Sequence, residues 1–127
     1  MSTKQLHFNK ELFFQALGNI TRLRLLNLMG DEELCVCTLV EILAQSQPKI
    51  SRHLAYLRRA GIVEGRREGK WMHYRITPPA DAGAANLLRK ALKWLDDDRL
   101  MQSDRARLSK SACPPIELDT VQTRKAR

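Results

Sequence analysis

Long apolar runs are missing from this chain: nothing approaches the about 18 consecutive apolar residues that a membrane-spanning helix requires. The first ten residues, Met1 to Lys10, are polar and lack the apolar centre of a secretory signal. The expected compartment is therefore the cytoplasm, with no membrane partner. Cysteine is scarce, with three residues. In a reducing compartment these read as thiols rather than a disulfide framework. Internal repeats, a Gly-rich phosphate loop, a dinucleotide fingerprint and a Cys-x-x-Cys pair are all absent. Those absences remove the usual supports for an enzyme, a thiol reductase included.

What is present is a strong and unevenly placed positive charge. The chain has 127 residues, a net charge of +8 and 43% hydrophobic residues, which fits one domain of ordinary globular mix. A chain of this length buries a limited core, so pairing with a second copy would help it. Residues 1–46 carry a net of −1, residues 47–78 a net of +6, residues 79–102 balance, and residues 103–127 carry a net of +3. A localised basic surface suits a phosphate backbone, because each neutralised phosphate releases a condensed counterion. An anionic membrane surface or a merely solvated face would need the same charge, so the pattern within the segment has to decide.

The periodicity predicts mainly helix with a small β-hairpin. Asn9 to Leu17 reads as a short amphipathic helix broken by Gly18, and Ile20 to Met29 as a second, capped by Asn19 or Thr21 and ended by Gly30. After an acidic link, Thr38-Leu39-Val40-Glu41 reads as a capping box opening a third helix to about Gln45. Ser46 caps a fourth helix to about Ala60, with Pro48 in its first turn and Ile50, Leu54 and Leu57 as its buried side. Ile62 to Arg67 and Trp71 to Thr77 form a hairpin turned at Gly69. A last helix covers about Ala84 to Gln102. Residues 1–102 thus read as one folded domain, and residues 103–127 as a flexible basic tail.

Two short helices joined by a tight turn, then an Arg-rich hairpin, make a winged helix-turn-helix. The second helix of such a pair enters the major groove. Its first turns here offer Gln47, Lys49, Ser51, Arg52 and His53, each with donors or acceptors suited to base edges or phosphates. The wing adds Arg66, Arg67 and Lys70, which fit the backbone or a narrow minor groove. Arg58, Arg59 and Arg75 read as ordinary surface charges, and His53 serves equally well as a DNA contact or a local hydrogen-bonding group.

Cys35 and Cys37 precede the third helix. A helix N-terminus favours thiolate. In extended backbone, residues i and i+2 share a face, so both sulfurs can reach one soft ion; in regular helix they cannot. Sulfur without nearby His favours thiophilic ions, and two ligands fall short of a structural zinc site. Two small buried hydrophobes are the plain alternative.

Glu33-Leu34-Cys35-Val36-Cys37-Thr38-Leu39, then Ser46 to Leu54, then Arg66-Arg67-Glu68-Gly69-Lys70-Trp71, resemble the ArsR/SmtB family, more narrowly its arsenical-responsive repressors. Asn19 to Leu26 is similar to that family's second helix, and the likeness covers roughly residues 10–100. The resemblance implies a homodimer built on the first and last helices, seated on double-stranded operator DNA. It implies no resident cofactor, and As(III) or Sb(III) as an inducer that binds Cys35 and Cys37 and releases the DNA. Another thiophilic ion, or oxidation of the thiols, is the alternative signal. The best-known members have a third cysteine three residues after the second; here that position is Val40, which leaves Cys113 as the candidate third ligand.

Overall fold

The computed structural model describes residues 8–111. Six helices surround a three-stranded antiparallel sheet, in chain order α1 (Lys10–Leu17), α2 (Ile20–Met29), β1 (Leu34–Cys35), α3 (Val36–Leu43), α4 (Gln47–Arg59), β2 (Val63–Glu68), β3 (Trp71–Ile76), α5 (Ala82–Leu95) and α6 (Arg99–Leu108). The caps explain the boundaries. The side chains of Asn9 and Asn19 accept from Leu12 N and Arg22 N, closing the first turns of α1 and α2. Helix α2 is the central element: Leu25, Leu26, Leu28 and Met29 are all buried, against Phe13 and Ala16 of α1 among others.

The helix-turn-helix is α3 and α4. Their inner sides, Leu39, Ile42 and Leu43 on one and Ile50, Leu54 and Leu57 on the other, are buried as the spacing predicts. Ala44 ends α3 in the left-handed conformation (φ 55°), and its N–H donates to Val40 O at 2.9 Å. Ser46 then caps α4 by accepting from Lys49 N.

The start of α3 differs from expectation. The helix begins at Val36, two residues before Thr38, and its N-cap is Cys35. Thr38 is buried inside the first turn and is not the N-cap. The cause is a strand that the sequence pattern hides: Leu34 and Cys35 pair with Tyr74 and His73 of β3, so β3 becomes the central strand of a sheet ordered β1-β3-β2. Strand pairing fixes Cys35 in extended backbone (φ −70°, ψ 144°), the conformation an N-cap needs. Across β2 and β3, Gly65 lies opposite Tyr74, where a Cβ would come within 2.8 Å of the ring.

The C-terminal region also departs from expectation. The single helix predicted over 84–102 is two, broken at Asp96-Asp97-Asp98. Carboxylates oppose the negative end of a helix and favour the positive start of the next; Asp98 accordingly caps α6 by accepting from Met101 N at 3.1 Å. Helix α6 continues through residue 102 to Leu108, so residues 103–108 belong to the fold and not to a flexible tail. It folds back on α2, where fully buried Asp104 accepts from Nε and Nη2 of Arg24, at 2.8 and 2.9 Å, and from Nη2 of Arg107 at 2.5 Å. The Asp104 carboxylate raises the Arg24 pKa, chiefly through that hydrogen bond. Residues 112–127, Cys113 included, lie outside the described residues.

Candidate nucleic-acid interface and thiol site

Burying Ile50, Leu54 and Leu57 turns the opposite side of α4 to solvent. Gln47, Lys49 and Arg52 are exposed and Ser51 is half-buried, so the hydrophilic face is open. His53 is half-buried, and its Nδ1 lies 3.2 Å from Nη1 of Arg22. A guanidinium has donors only, so Nδ1 accepts and the neutral ring carries its proton on Nε2. Burial, and then the charges of Arg22, Lys49 and Arg52, lower the His53 pKa.

The wing divides its charges. Arg67 and Lys70 are exposed and make no ion pair among the described residues. Gly69 at the tip takes φ 63°, as the tight turn requires. Arg66 is exposed but engaged: it holds Glu33 through two nitrogens at 2.6 and 3.0 Å and Glu68 at 2.7 Å. Its pKa is raised, mainly by the Glu33 hydrogen bond, and that of Glu33 is lowered by the same bond. Arg75 pairs with Glu64 on the neighbouring strand.

Arg66 therefore ties the wing to the segment that leads into the cysteines. Cys35 is fully buried at the end of β1, and its sulfur lies 3.4 Å from the backbone nitrogen of Cys37 in the first turn of α3. Cys37 is half-buried. The expected non-helical backbone is present at Cys35 and ends there. Among the described residues no three His, Cys, Asp or Glu side chains form a metal-binding group. Sulfur donors at a helix start suit a thiophilic ion rather than a hard one. Cys113, the third predicted ligand, lies outside the described residues.

Sequence reasoning missed Glu33 as the partner of Arg66, and Arg22 with Tyr56 as neighbours of His53. Glu33 stood in an acidic link that could have faced either way. No helix is long and apolar enough to cross a membrane among the described residues.

Residues 19–65 match the family described as bacterial regulatory protein, arsR family, a stretch running from the cap of α2 into β2. The chain is 43% identical over 101 residues to the arsenical resistance operon repressor of Escherichia coli, covering 79% of this chain and 85% of that protein. It is 45% identical over 94 residues to the arsenic resistance transcriptional regulator ArsR1 of Pseudomonas putida, covering 70% and 73%. A solved neighbour is the homodimeric winged helix-turn-helix DNA-binding domain of Mb0332 from Mycobacterium bovis, with a TM-score of 0.56 at 28% identity over 79% of this chain and 85% of that one. Likeness of this extent in sequence and in fold has one reading: the chain belongs to the arsR family of bacterial regulatory proteins and is a winged helix-turn-helix transcriptional regulator, not an enzyme.

Proposed function

We propose that the chain is a metalloid-responsive repressor that holds operator DNA as a homodimer and lets go when As(III) or Sb(III) binds Cys35 and Cys37. The observation that carries this reading is the position of Cys35. One residue ends β1, caps α3 and sets its sulfur against the first turn of the helix that packs on α4. Drawing two sulfurs onto one centre competes with the cap and the strand pairing together, and the strain reaches α4 through the α3–α4 packing. The ligand must bind the DNA-incompetent form better, or it shifts nothing. A coupling of about 1–3 kcal/mol is usual for such switches.

Gln47, Lys49, Ser51 and Arg52 supply the major-groove face, and Arg67 and Lys70 the wing contacts. The wing's other arginine, Arg66, reaches DNA only by giving up Glu33. The dimer reading is supported by large apolar side chains left open on α1 and α5, among them Phe14, Leu87 and Trp94, the last 77% exposed. Paired in this way, two copies of α4 read half-sites about 34 Å apart. The test is a gel shift on the DNA upstream of the coding region, with and without arsenite, under reducing conditions. Arsenite should release the native protein and leave a Cys35→Ser, Cys37→Ser double variant bound. Release of the double variant would sink the assignment, and parallel titrations with zinc, cadmium and an oxidant identify any other signal.

Three thiolates complete an As(III) centre, and chain reach supports Cys113 as the third. Ser111 Oγ donates to Glu41 at 2.9 Å, and Arg107 donates to Ile42 O at 3.3 Å, so α6 ends against α3. Glu41 stands one turn after Cys37 on the same helix face, about 6 Å away. Two residues beyond Ser111 span at most about 7 Å. Cys37 is disulfide-bonded in this structure, so a thiol reductant must first return it to the thiol; As(OH)3 and three thiols then give three S–As bonds and three waters, with no further electron transfer. Arsenic absorption spectroscopy should find three sulfurs per arsenic in the native protein and two in Cys113→Ser; two in both would remove Cys113 and leave the pair standing.

A further inference from the structure

Arg22 opens the first turn of α2, yet its side chain belongs to two other helices. Its Nε donates to Ala16 O at 2.8 Å and its Nη2 to Gln15 O at 2.9 Å, among the last carbonyls of α1. A cation there suits the carbonyls at the helix end, of which Gln15 O also accepts from Gly18 N, and answers the negative end of that helix. Its third nitrogen meets His53 Nδ1, and its Cζ lies over the Tyr56 ring, 4.0 Å from the centroid. The Tyr56 hydroxyl in turn donates to Gln15 Oε1 at 3.2 Å. His53 and Tyr56 are three residues apart, hence neighbours on one side of α4. One planar, forked group thus joins the end of α1 to the middle of the recognition helix. A lysine has neither the fork nor the plane for this.

The geometry points to Arg22 as a positioning residue that fixes α4 relative to α1, and through α1 the separation of the two recognition helices in the dimer. The inference rests on the dimeric operator reading above and deepens it. In this role Arg22 acts through α1 and α4 rather than by direct contact with bases. What it confers is selection by half-site spacing. Inserting one base pair moves a half-site by about 3.4 Å and rotates it around the duplex. Recognition helices clamped to the dimerising helices reject that change, and loosely mounted ones follow it.

The test uses the full chain and three duplexes: the upstream operator, and derivatives with one base pair added or removed between the half-sites. The native protein should bind the respaced duplexes about tenfold or more weakly, the cost of a misplaced contact set. Arg22→Ala should bind the operator more weakly and the respaced duplexes within about twofold of it, with dimerisation and the salt dependence of binding unchanged. Arg22→Lys should resemble Arg22→Ala. If Arg22→Ala does not fold, Tyr56→Leu, which removes the stacked ring and its link to Gln15 but keeps the bonds to α1, must also narrow the discrimination. A variant that weakens on all three duplexes equally, or loses salt dependence as a phosphate contact would, overturns the assignment. A native protein that binds one isolated half-site as tightly as the operator overturns the dimeric reading itself, an outcome distinguishable by that fourth duplex alone.

Discussion

Helix α4 and the wing are the two basic elements of the proposed interface, and they hold their charge differently. On α4, Lys49 and Arg52 stand exposed on a face defined by the burial of Ile50, Leu54 and Leu57. On the wing, Arg66 is taken by Glu33 and Glu68, while Arg67 next to it is not paired among the described residues. Adjacent arginines in a strand point to opposite faces. One therefore anchors the wing to the strand that ends at Cys35, and the other faces outward. Charge counting treats the two alike, whereas their partners separate a structural cation from one open to a phosphate.

The comparison breaks most sharply at α4. Arg52→Ala should cost about 1–3 kcal/mol of specific operator binding, roughly a 5- to 150-fold loss, and relax the preference at one base position if the side chain reads a base edge. Binding to a panel of single-base operator variants checks this. An unchanged preference with a shallower salt slope would reassign Arg52 to the backbone.

The wing gives a smaller, paired contrast. Arg67→Ala should weaken binding to all sequences alike and reduce the salt slope by about 0.9, the value of one phosphate. Arg66→Ala should leave that slope unchanged and instead loosen the β1–wing connection. Slopes measured between two salt concentrations decide it: equal changes for both arginines would erase the distinction drawn between them.

The orientation of α4 is legible in sequence because helix periodicity carries it. Ile50, Leu54 and Leu57 at spacings of four and three fix which side of α4 is dry, and Ser46 with Pro48 fixes where it starts. The misplaced start of α3 has a physical cause. Thr38 and Glu41 have the spacing of a capping box, but two residues of pairing with β3 override that local preference and hand the cap to Cys35. A two-residue strand has too few positions to show alternation. The return of α6 was equally hidden, because its anchor is one buried acid, Asp104, in a segment whose charge otherwise reads as solvated. Breaking that anchor from the Arg24 side would leave the buried carboxylate with Arg107 alone, so the cost falls below the about 3–5 kcal/mol of a buried charge left with no partner.

The smallest effect, and the finest test of the contrast between the two arginines, is in pH. Hydrogen bonding to Arg66 lowers the Glu33 pKa below the ordinary carboxylate range, so the folded state holds this proton less tightly than the unfolded chain does. The sign follows from linkage: the contribution is fully present above the unfolded carboxylate value of about 4.3 and is lost as pH falls through the lowered folded value. Both partners are partly solvated, Arg66 at 48% and Glu33 at 20% exposure, which confines the contribution to the range of surface pairs, about 0–1 kcal/mol. Glu33→Gln should therefore flatten the acid limb of the stability curve slightly and leave the neutral limb nearly parallel to the native one. The same variant releases Arg66 from its principal partner. If the wing's engaged arginine is kept from DNA by Glu33, Glu33→Gln should steepen the salt dependence of operator binding by up to one phosphate, and an unchanged slope would mean that Arg66 faces away from the duplex whatever holds it.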